Sequence, residues 1–138
     1  GKWQALYKGI FRANQVIAAC DRLMGTFANQ ADEEAAVEIL AQARFFRGLF
    51  YFYLHNSFNE GAVPISDFVP ENEEDFYLPI SPAEDVRAFF TADLEFALPN
   101  LPGAWSNAND NGRATAGAAA AVLGKSYLYA KEYATAAT

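Results

Sequence analysis

A tryptophan flanked by amide and carboxylate side chains lies in the segment NLPGAWSNANDNGR of this 138-residue chain. The indole of Trp105 has a flat apolar face on which a sugar ring can stack. The side chains of Asn107, Asn109 and Asp110 can hydrogen-bond the hydroxyl groups of such a ligand. Because few other apolar side chains in this segment could bury the indole, we expect Trp105 to be a binding platform. The alternative is that the ring plugs its own loop onto the core.

A second group of aromatic residues lies in another irregular segment, between Asn56 and Ile80. Phe58 stands near its start, and Phe76 and Tyr77 follow an acidic run. Rings in or beside a loop are candidates for the same stacking role, with the same alternative of packing onto the core. We therefore include Phe76 and Tyr77 with the predicted ligand-binding residues.

No constellation in the sequence predicts catalysis. The only histidine, His55, ends an aromatic segment without the companions of a nucleophilic site, so we expect it to cap or pack. The carboxylates Glu73, Glu74 and Asp75 have no apolar surroundings that would raise a pKa, which indicates a solvated loop. We expect no catalytic residue and no enzyme activity.

Metal sites are also not indicated. Asn107, Asn109, Asn111 and Gly112 follow the spacing of a calcium loop, but Ala118 stands where a bidentate glutamate is required. The lone Cys20 has no cysteine or histidine neighbours at a zinc spacing. We predict neither a metal nor a cofactor.

Charge and hydropathy limit the partners. A formal net charge of -7 opposes binding to a phosphate backbone, so nucleic acid is not an expected partner. No apolar stretch reaches the ~18 residues that would span a bilayer, and the start GKWQALYKGI is not a signal peptide. Any membrane anchor is expected to lie outside this chain.

Apolar spacing and capping signals predict four helices that must position these residues. Helix two carries aromatic residues on all sides, so we expect it to be the buried centre. Ser81 is predicted to cap helix three in a capping box with Glu84, and Pro99 to end that helix. The predicted helices run from Trp3 to Met24, from about Glu33 to His55, from Pro82 to about Pro99, and from near Thr115.

Four residues besides the aromatic ones are predicted to hold the helices and loops together. Asn14 lies on a largely apolar helix and should form a buried hydrogen bond between helices. Arg113 is expected to anchor its loop to a helix-three carboxylate such as Asp93. Gly124, in a helix of small residues, is expected to face a ring of helix two.

The last helix also resembles a tetratricopeptide unit. Leu123, Gly124 and Tyr127 fit its L-G-x-x-Y core, and Tyr133 and Ala136 fall where its second helix would begin. Such repeats bury their faces only against neighbours, so we expect the complete protein to continue beyond Thr138.

Four motifs in order resemble the SusD/RagB family along nearly the whole chain. Two departures alter the segment after helix two: Gly48 stands where the family has alanine, and NEGAV replaces a shorter turn. The matching positions are Tyr7, Ile10 and Asn14; Ala43, Arg47, Tyr51, Leu54 and Phe58, followed by Val63, Pro64 and Ile65; Asp93, Leu94, Ala97, Leu101 and Pro102; and Gly112, Arg113, Ala114 and Thr115.

This resemblance implies an all-α fold of antiparallel, tetratricopeptide-like helix pairs with two long loops, in which Arg47 is structural. Residues 1–138 would form a single helical domain, a fragment of the N-terminal part of a longer protein. It further implies an outward-facing outer-membrane lipoprotein, a SusC-like TonB-dependent channel as partner, and a glycan or other small nutrient as ligand. The alternative is a tetratricopeptide-like adaptor that grips a partner peptide.

Overall fold

The computed structural model describes residues 1–103 and 114–130, and within them it confirms the predicted all-α architecture. Two short 3-10 turns lie between the second and third helices, at Asn59–Gly61 and Glu73–Phe76. In the described residues, no helix is both long and apolar enough to cross a membrane. The α-helices are α1 (Lys2–Leu23), α2 (Gln30–Ser57), α3 (Ala83–Asn100) and α4 (Ala116–Tyr129).

Local signals set three of the helix ends. Gly25 adopts a φ of +83° just after α1, a conformation that glycine tolerates best. The Asn29 side chain accepts a hydrogen bond from the Asp32 amide at 2.9 Å and caps α2. Thr115 caps α4 in the same way, accepting from the Ala118 amide at 3.2 Å.

Both predicted ends of α3 were wrong in detail. Pro82 occupies the cap position without a side-chain cap, whereas the Ser81 amide donates to the carbonyl oxygen of Val63 at 3.1 Å. Ser81 is therefore held in a contact between distant parts of the chain, outside the local box expected with Glu84. Pro99 lies inside the last turn, because a proline there removes a single backbone hydrogen bond without breaking the preceding turns.

The first three helices form antiparallel neighbours, with α2 in the middle. Contacts between α1 and α2 run in opposite directions along the two helices, from Cys20 with Ala36 to Lys2 with Ser57. α4 packs mainly on α3 and has a smaller contact with α2. The neighbours of Gly124 stay a prediction, although Phe52 and Tyr129 join α2 and α4 with ring centroids 5.7 Å apart.

The prediction that α2 is the buried centre is confirmed. Tyr51 and Leu54 are completely buried, and Phe52 packs edge-on against Phe90 of α3. Tyr53 is the exception, with 45% of its surface exposed. The aromatic run therefore serves mainly as a packing interface between helices.

Between α2 and α3, residues 64–80 form what we call the closed loop. An antiparallel bridge between Pro64 and Ile80 joins its two ends. The adjacent bond from Ser81 to Val63 pins them to the core, because Val63 is completely buried. The loop is long, yet its ends are held together beside the helices.

Candidate functional site

A groove runs between the first half of α1 and the closed loop. Its volume is about 570 Å³, within the range of small-molecule binding sites. The helix and the loop supply opposite walls. The groove, as we call it below, is lined by Trp3, Gln4, Tyr7, Lys8, Phe11, Pro64, Ser66, Pro70, Asp75, Phe76 and Leu78.

Aromatic rings supply much of the apolar surface of the groove. Phe76 is 65% exposed on the loop wall, and Trp3 is 36% exposed on the α1 wall. Trp3 is held in place by Phe58, edge-on with centroids 5.1 Å apart, and by Tyr7 at 4.9 Å. A fixed indole and an exposed phenyl ring on facing walls can both contact the apolar face of a bound ring.

Polar side chains stand among these rings. Gln4 and Lys8 of α1 are exposed beside Trp3, and Asp75 faces them from the loop. Asp75 also accepts hydrogen bonds from the backbone amides of Glu71 and Asn72, at 3.0 and 3.1 Å, which fixes its carboxylate. The groove thus combines stacking surfaces with donors and an acceptor for hydroxyl groups.

Two tyrosines from different helices attach the closed loop to the scaffold. The Tyr7 hydroxyl donates to the carbonyl oxygen of Pro64 at 2.6 Å, and the Tyr51 hydroxyl lies 3.2 Å from the same oxygen. The Ser66 amide donates to the Tyr51 hydroxyl at 2.6 Å. Burial raises the pKa of Tyr51 to about 12, and burial, with the neighbouring Tyr51, raises the pKa of Tyr7. Both phenols are therefore neutral donors at ordinary pH.

A buried polar cluster lies behind this attachment. Arg47 of α2 donates to both carboxylate oxygens of Asp93, at 2.7 and 2.8 Å, and to the Asn14 side-chain oxygen at 2.9 Å. Arg44 donates to Asp93 at 2.9 Å from the exposed side. These hydrogen bonds join Asn14 of α1, Arg47 of α2 and Asp93 of α3.

The other predicted contact of Asp93 is not described. Arg113 lies outside the described residues, so its pairing with Asp93 stays a prediction. The carboxylate already accepts hydrogen bonds from Arg44 and Arg47 on α2.

The predicted ligand-binding residues separate into three sets. Phe76 lines the groove, whereas the adjacent Tyr77 is 73% exposed but lies outside it. Trp105 and its neighbours Asn107, Asn109 and Asp110 lie outside the described residues, so their role stays a prediction.

Sequence reasoning missed Trp3 and Phe11 as groove residues. Trp3 entered only as one position of an apolar helical pattern. The signal that could have identified both is the spacing of Trp3, Tyr7 and Phe11, since aromatic residues four apart form one continuous stripe on a helix. Only the position of the closed loop shows that this stripe faces a groove.

Most of the residues considered for catalysis occupy structural or solvated positions, whereas Asp75 is half-buried and lines the groove. The His55 ring lies 3.1 Å from the Gly61 carbonyl oxygen through Nδ1 and edge-on to Phe90, as predicted for a packing residue. Glu73 and Glu74 are exposed on the closed loop. In the described ranges, no three histidine, cysteine or acidic side chains come close enough together to hold a metal ion.

Comparison with known proteins gives consistent matches. The model of the SusD-like family described as "Starch-binding associating with outer membrane" matches residues 1–128. A SusD-like protein of Bacteroides ovatus is 32% identical over 128 residues, which cover 93% of this chain and 22% of that protein.

The solved structures that resemble this chain are also SusD-like proteins. A laminarin-binding SusD-like protein superposes with a TM-score of 0.81 at 29% identity, over 98% of this chain and 28% of the other. A SusD-like carbohydrate-binding protein from Bacteroides fragilis gives a TM-score of 0.81 at 27% identity, over 98% of this chain and 25% of the other. The chain therefore spans about a quarter of the length of these proteins.

Proposed function

Because the chain belongs to the SusD-like family, we propose that it is part of a non-catalytic glycan-binding component of an outer-membrane uptake complex. Two structurally similar proteins are described as binding laminarin and carbohydrate. The described residues supply a suitable surface of their own. The observation that carries the proposal is the groove between α1 and the closed loop, with rings on both walls and polar side chains between them.

The groove is suited to reversible capture. Sugar rings present apolar C–H faces that stack on aromatic rings, and hydroxyl edges that require hydrogen bonds. Trp3 and Phe76 supply the first kind of contact, and Gln4, Lys8 and Asp75 the second.

The setting proposed for this activity follows from the family. The complete protein would be an outward-facing lipoprotein of the outer membrane. Its partner would be a SusC-like TonB-dependent channel, to which it would deliver a glycan or another small nutrient. Trp105, with Asn107, Asn109 and Asp110, remains our proposed second binding platform.

The groove can be tested with two adjacent aromatic residues. Phe76 and Tyr77 are both largely exposed, but only Phe76 lines the groove. We expect Phe76→Ala to weaken binding of laminarin or soluble starch up to about tenfold, because one stacking contact is lost. Tyr77→Ala should bind as the unmodified chain does. Isothermal titration calorimetry of the chain and both variants, with a thermal melt of each, measures the difference.

The same titration separates the proposed platforms. Trp105→Ala should weaken binding with little change in the melt if the indole is a platform, and lower stability by about 3–5 kcal/mol if it plugs the core. Absence of glycan binding by the unmodified chain would contradict the proposal. An equal loss in the Phe76 and Tyr77 variants would place binding outside the groove.

A further inference from the structure

One wall of the groove is connected to the helical core through a line of buried polar side chains. Asp93 of α3 accepts from Arg47 of α2, Arg47 donates to Asn14 of α1, and Asn14 donates to the Ser66 carbonyl oxygen at 2.8 Å. Ser66 itself lines the groove. Three helices and the closed loop are thus joined by consecutive hydrogen bonds, which we call the relay.

The direction of each bond in the relay is fixed by chemistry. Arginine has only N–H donors, so the atom of Asn14 that faces Arg47 must be its side-chain oxygen. The Asn14 amide nitrogen must then point toward the loop, where it lies 2.8 Å from the Ser66 carbonyl oxygen and 3.5 Å from that of Phe68. Turning the amide over would place donor against donor. Asn14 therefore transmits the orientation of Arg47 to the loop.

Burial makes these bonds restrictive. Asn14 is 2% exposed, Asp93 1% and Arg47 7%. Water therefore has little access to replace a broken contact, and a misplaced loop carbonyl would leave the buried Asn14 amide unpaired, which is unfavourable. Apolar packing alone would let the loop slide, because such contacts have no preferred direction. The relay selects one position for residues 66–68.

We propose that Asn14 is a positioning residue for the groove, and that the relay sets the loop wall against the α1 wall before a ligand arrives. Pre-organisation of this kind raises affinity because the loop is not ordered at the expense of binding. The inference rests on the proposed glycan-binding function. Its structural part, the attachment of residues 66–68 through Asn14, can be measured without any ligand.

The substitution Asn14→Asp cuts the relay at one point. A carboxylate keeps an acceptor for Arg47 but cannot donate to the Ser66 carbonyl oxygen. The cluster of Arg44, Arg47 and Asp93 has a net charge of about +1, so a second carboxylate would be neutralised there. We expect the helices to keep their packing while residues 66–68 lose their attachment.

The control is Arg44→Gln. Arg44 contacts the same carboxylate as Arg47 but lies outside the line that leads through Asn14 to the loop. Both substitutions alter the charge of the cluster, yet only the one at Asn14 removes a bond to the loop. A purely structural role for the cluster would give similar effects in the two variants.

Two measurements test the inference. Hydrogen exchange at the Ser66 amide, which donates to the Tyr51 hydroxyl, should accelerate about tenfold in Asn14→Asp and stay unchanged in Arg44→Gln. The affinity for laminarin or starch should fall by about tenfold in Asn14→Asp only. The association rate constant of those molecules whose loop is correctly placed should change little. If Asn14→Asp does not fold, Asn14→Ser takes its place, because it keeps a hydroxyl for Arg47 on a shorter side chain.

The outcomes separate this inference from the proposed function. If the unmodified chain binds no glycan, the proposed function fails, while the exchange rates still decide whether the relay holds the loop. If glycan binds and Asn14→Asp leaves affinity unchanged, the positioning role is overturned. Equal losses in the Asn14 and Arg44 variants would also overturn it.

Discussion

The two faces of α2 are held to their neighbours by different forces. Toward α3, Phe52 packs edge-on against Phe90 in the apolar core, and Arg47 pairs with Asp93 at 2.7 Å. Toward α1 and the closed loop, Tyr51 contacts Tyr7 edge-on and uses its hydroxyl on the backbone of residues 64 and 66. The face of α2 toward α3 contacts neighbouring side chains. The face toward α1 also hydrogen-bonds the backbone of the closed loop.

This difference separates stability from the shape of the site. A buried aliphatic or aromatic side chain contributes about 1.5–3 kcal/mol without fixing a direction. A hydrogen bond contributes only about 0.5–1.5 kcal/mol net but fixes where its partner lies. The α3 face of α2 should therefore dominate the free energy of unfolding, and its α1 face should determine the geometry of the groove.

The largest effect is expected for Asp93→Ala. This change leaves the Arg47 guanidinium buried without its carboxylate, and breaking a buried pair from one side costs about 3–5 kcal/mol. Urea denaturation followed by circular dichroism measures the loss. As a control, Arg44→Gln removes a partly exposed partner of the same carboxylate and should cost about 1 kcal/mol or less. Equal losses in the two variants would break the proposed contrast between buried and exposed contacts.

An intermediate effect is expected at alkaline pH on the other face. Because burial raises the pKa of Tyr51 from the ordinary 10.0 of a tyrosine to about 12, the folded chain holds the phenol neutral where the unfolded chain ionises it. The stability from this group is fully present below about pH 10 and is lost as pH rises toward about 12. Denaturation curves at several pH values should show this decline.

Tyr51→Phe tests the assignment of that decline. The variant loses the hydroxyl that receives the Ser66 amide, so it should be less stable at neutral pH by about 1–3 kcal/mol. Its stability should also fall less steeply than that of the unmodified chain between pH 10 and 12. Parallel curves for the two proteins would show that Tyr51 does not titrate as described.

The smallest effect is expected for Gly48→Ala, where α2 and α3 approach closely. A Cβ atom at this position would lie 3.0 Å from the Leu94 Cγ atom and 3.1 Å from the Phe90 carbonyl oxygen. Alanine improves helix propensity by about 1 kcal/mol, but crowding against a neighbouring backbone costs about 1–3 kcal/mol. We expect a net destabilisation of about 1 kcal/mol in thermal denaturation.

Gly117→Ala provides the matched control, since the nearest atom to its Cβ would be the Thr115 Oγ1 at 3.9 Å. With space available, the same substitution in α4 should stabilise by about 0.5–1 kcal/mol. If Gly48→Ala were equally stabilising, the close approach on the α3 face would not limit packing there.

The helices were predictable because their signals are local. Asn29 and Thr115 cap the helices that follow them, and the aromatic run of α2 indicated its burial without any tertiary information. Ser81 shows the limit of such reasoning, because its amide is taken by Val63, far away in the sequence. A local capping box cannot account for competition from a distant carbonyl oxygen.

The groove was less predictable for the same physical reason. Phe76 was found through its loop setting, but Trp3 and Phe11 become site residues only when the closed loop stands opposite them. Arg47 and Asp93 are separated by 46 positions, and their pairing depends on the register of two helices. Helical period gives the face of a residue, and it does not give the partner across the interface.

The bridge between Pro64 and Ile80 has a consequence for how this site can change over evolution. Because the loop is closed at its base, the chain between these residues can lengthen or shorten without moving α2 or α3. The entropic penalty for doubling such a loop is only about 0.6 kcal/mol. Mutations at the tip of the closed loop can therefore place new side chains opposite an unchanged α1 wall. One scaffold could in this way acquire different ligand preferences through insertions alone.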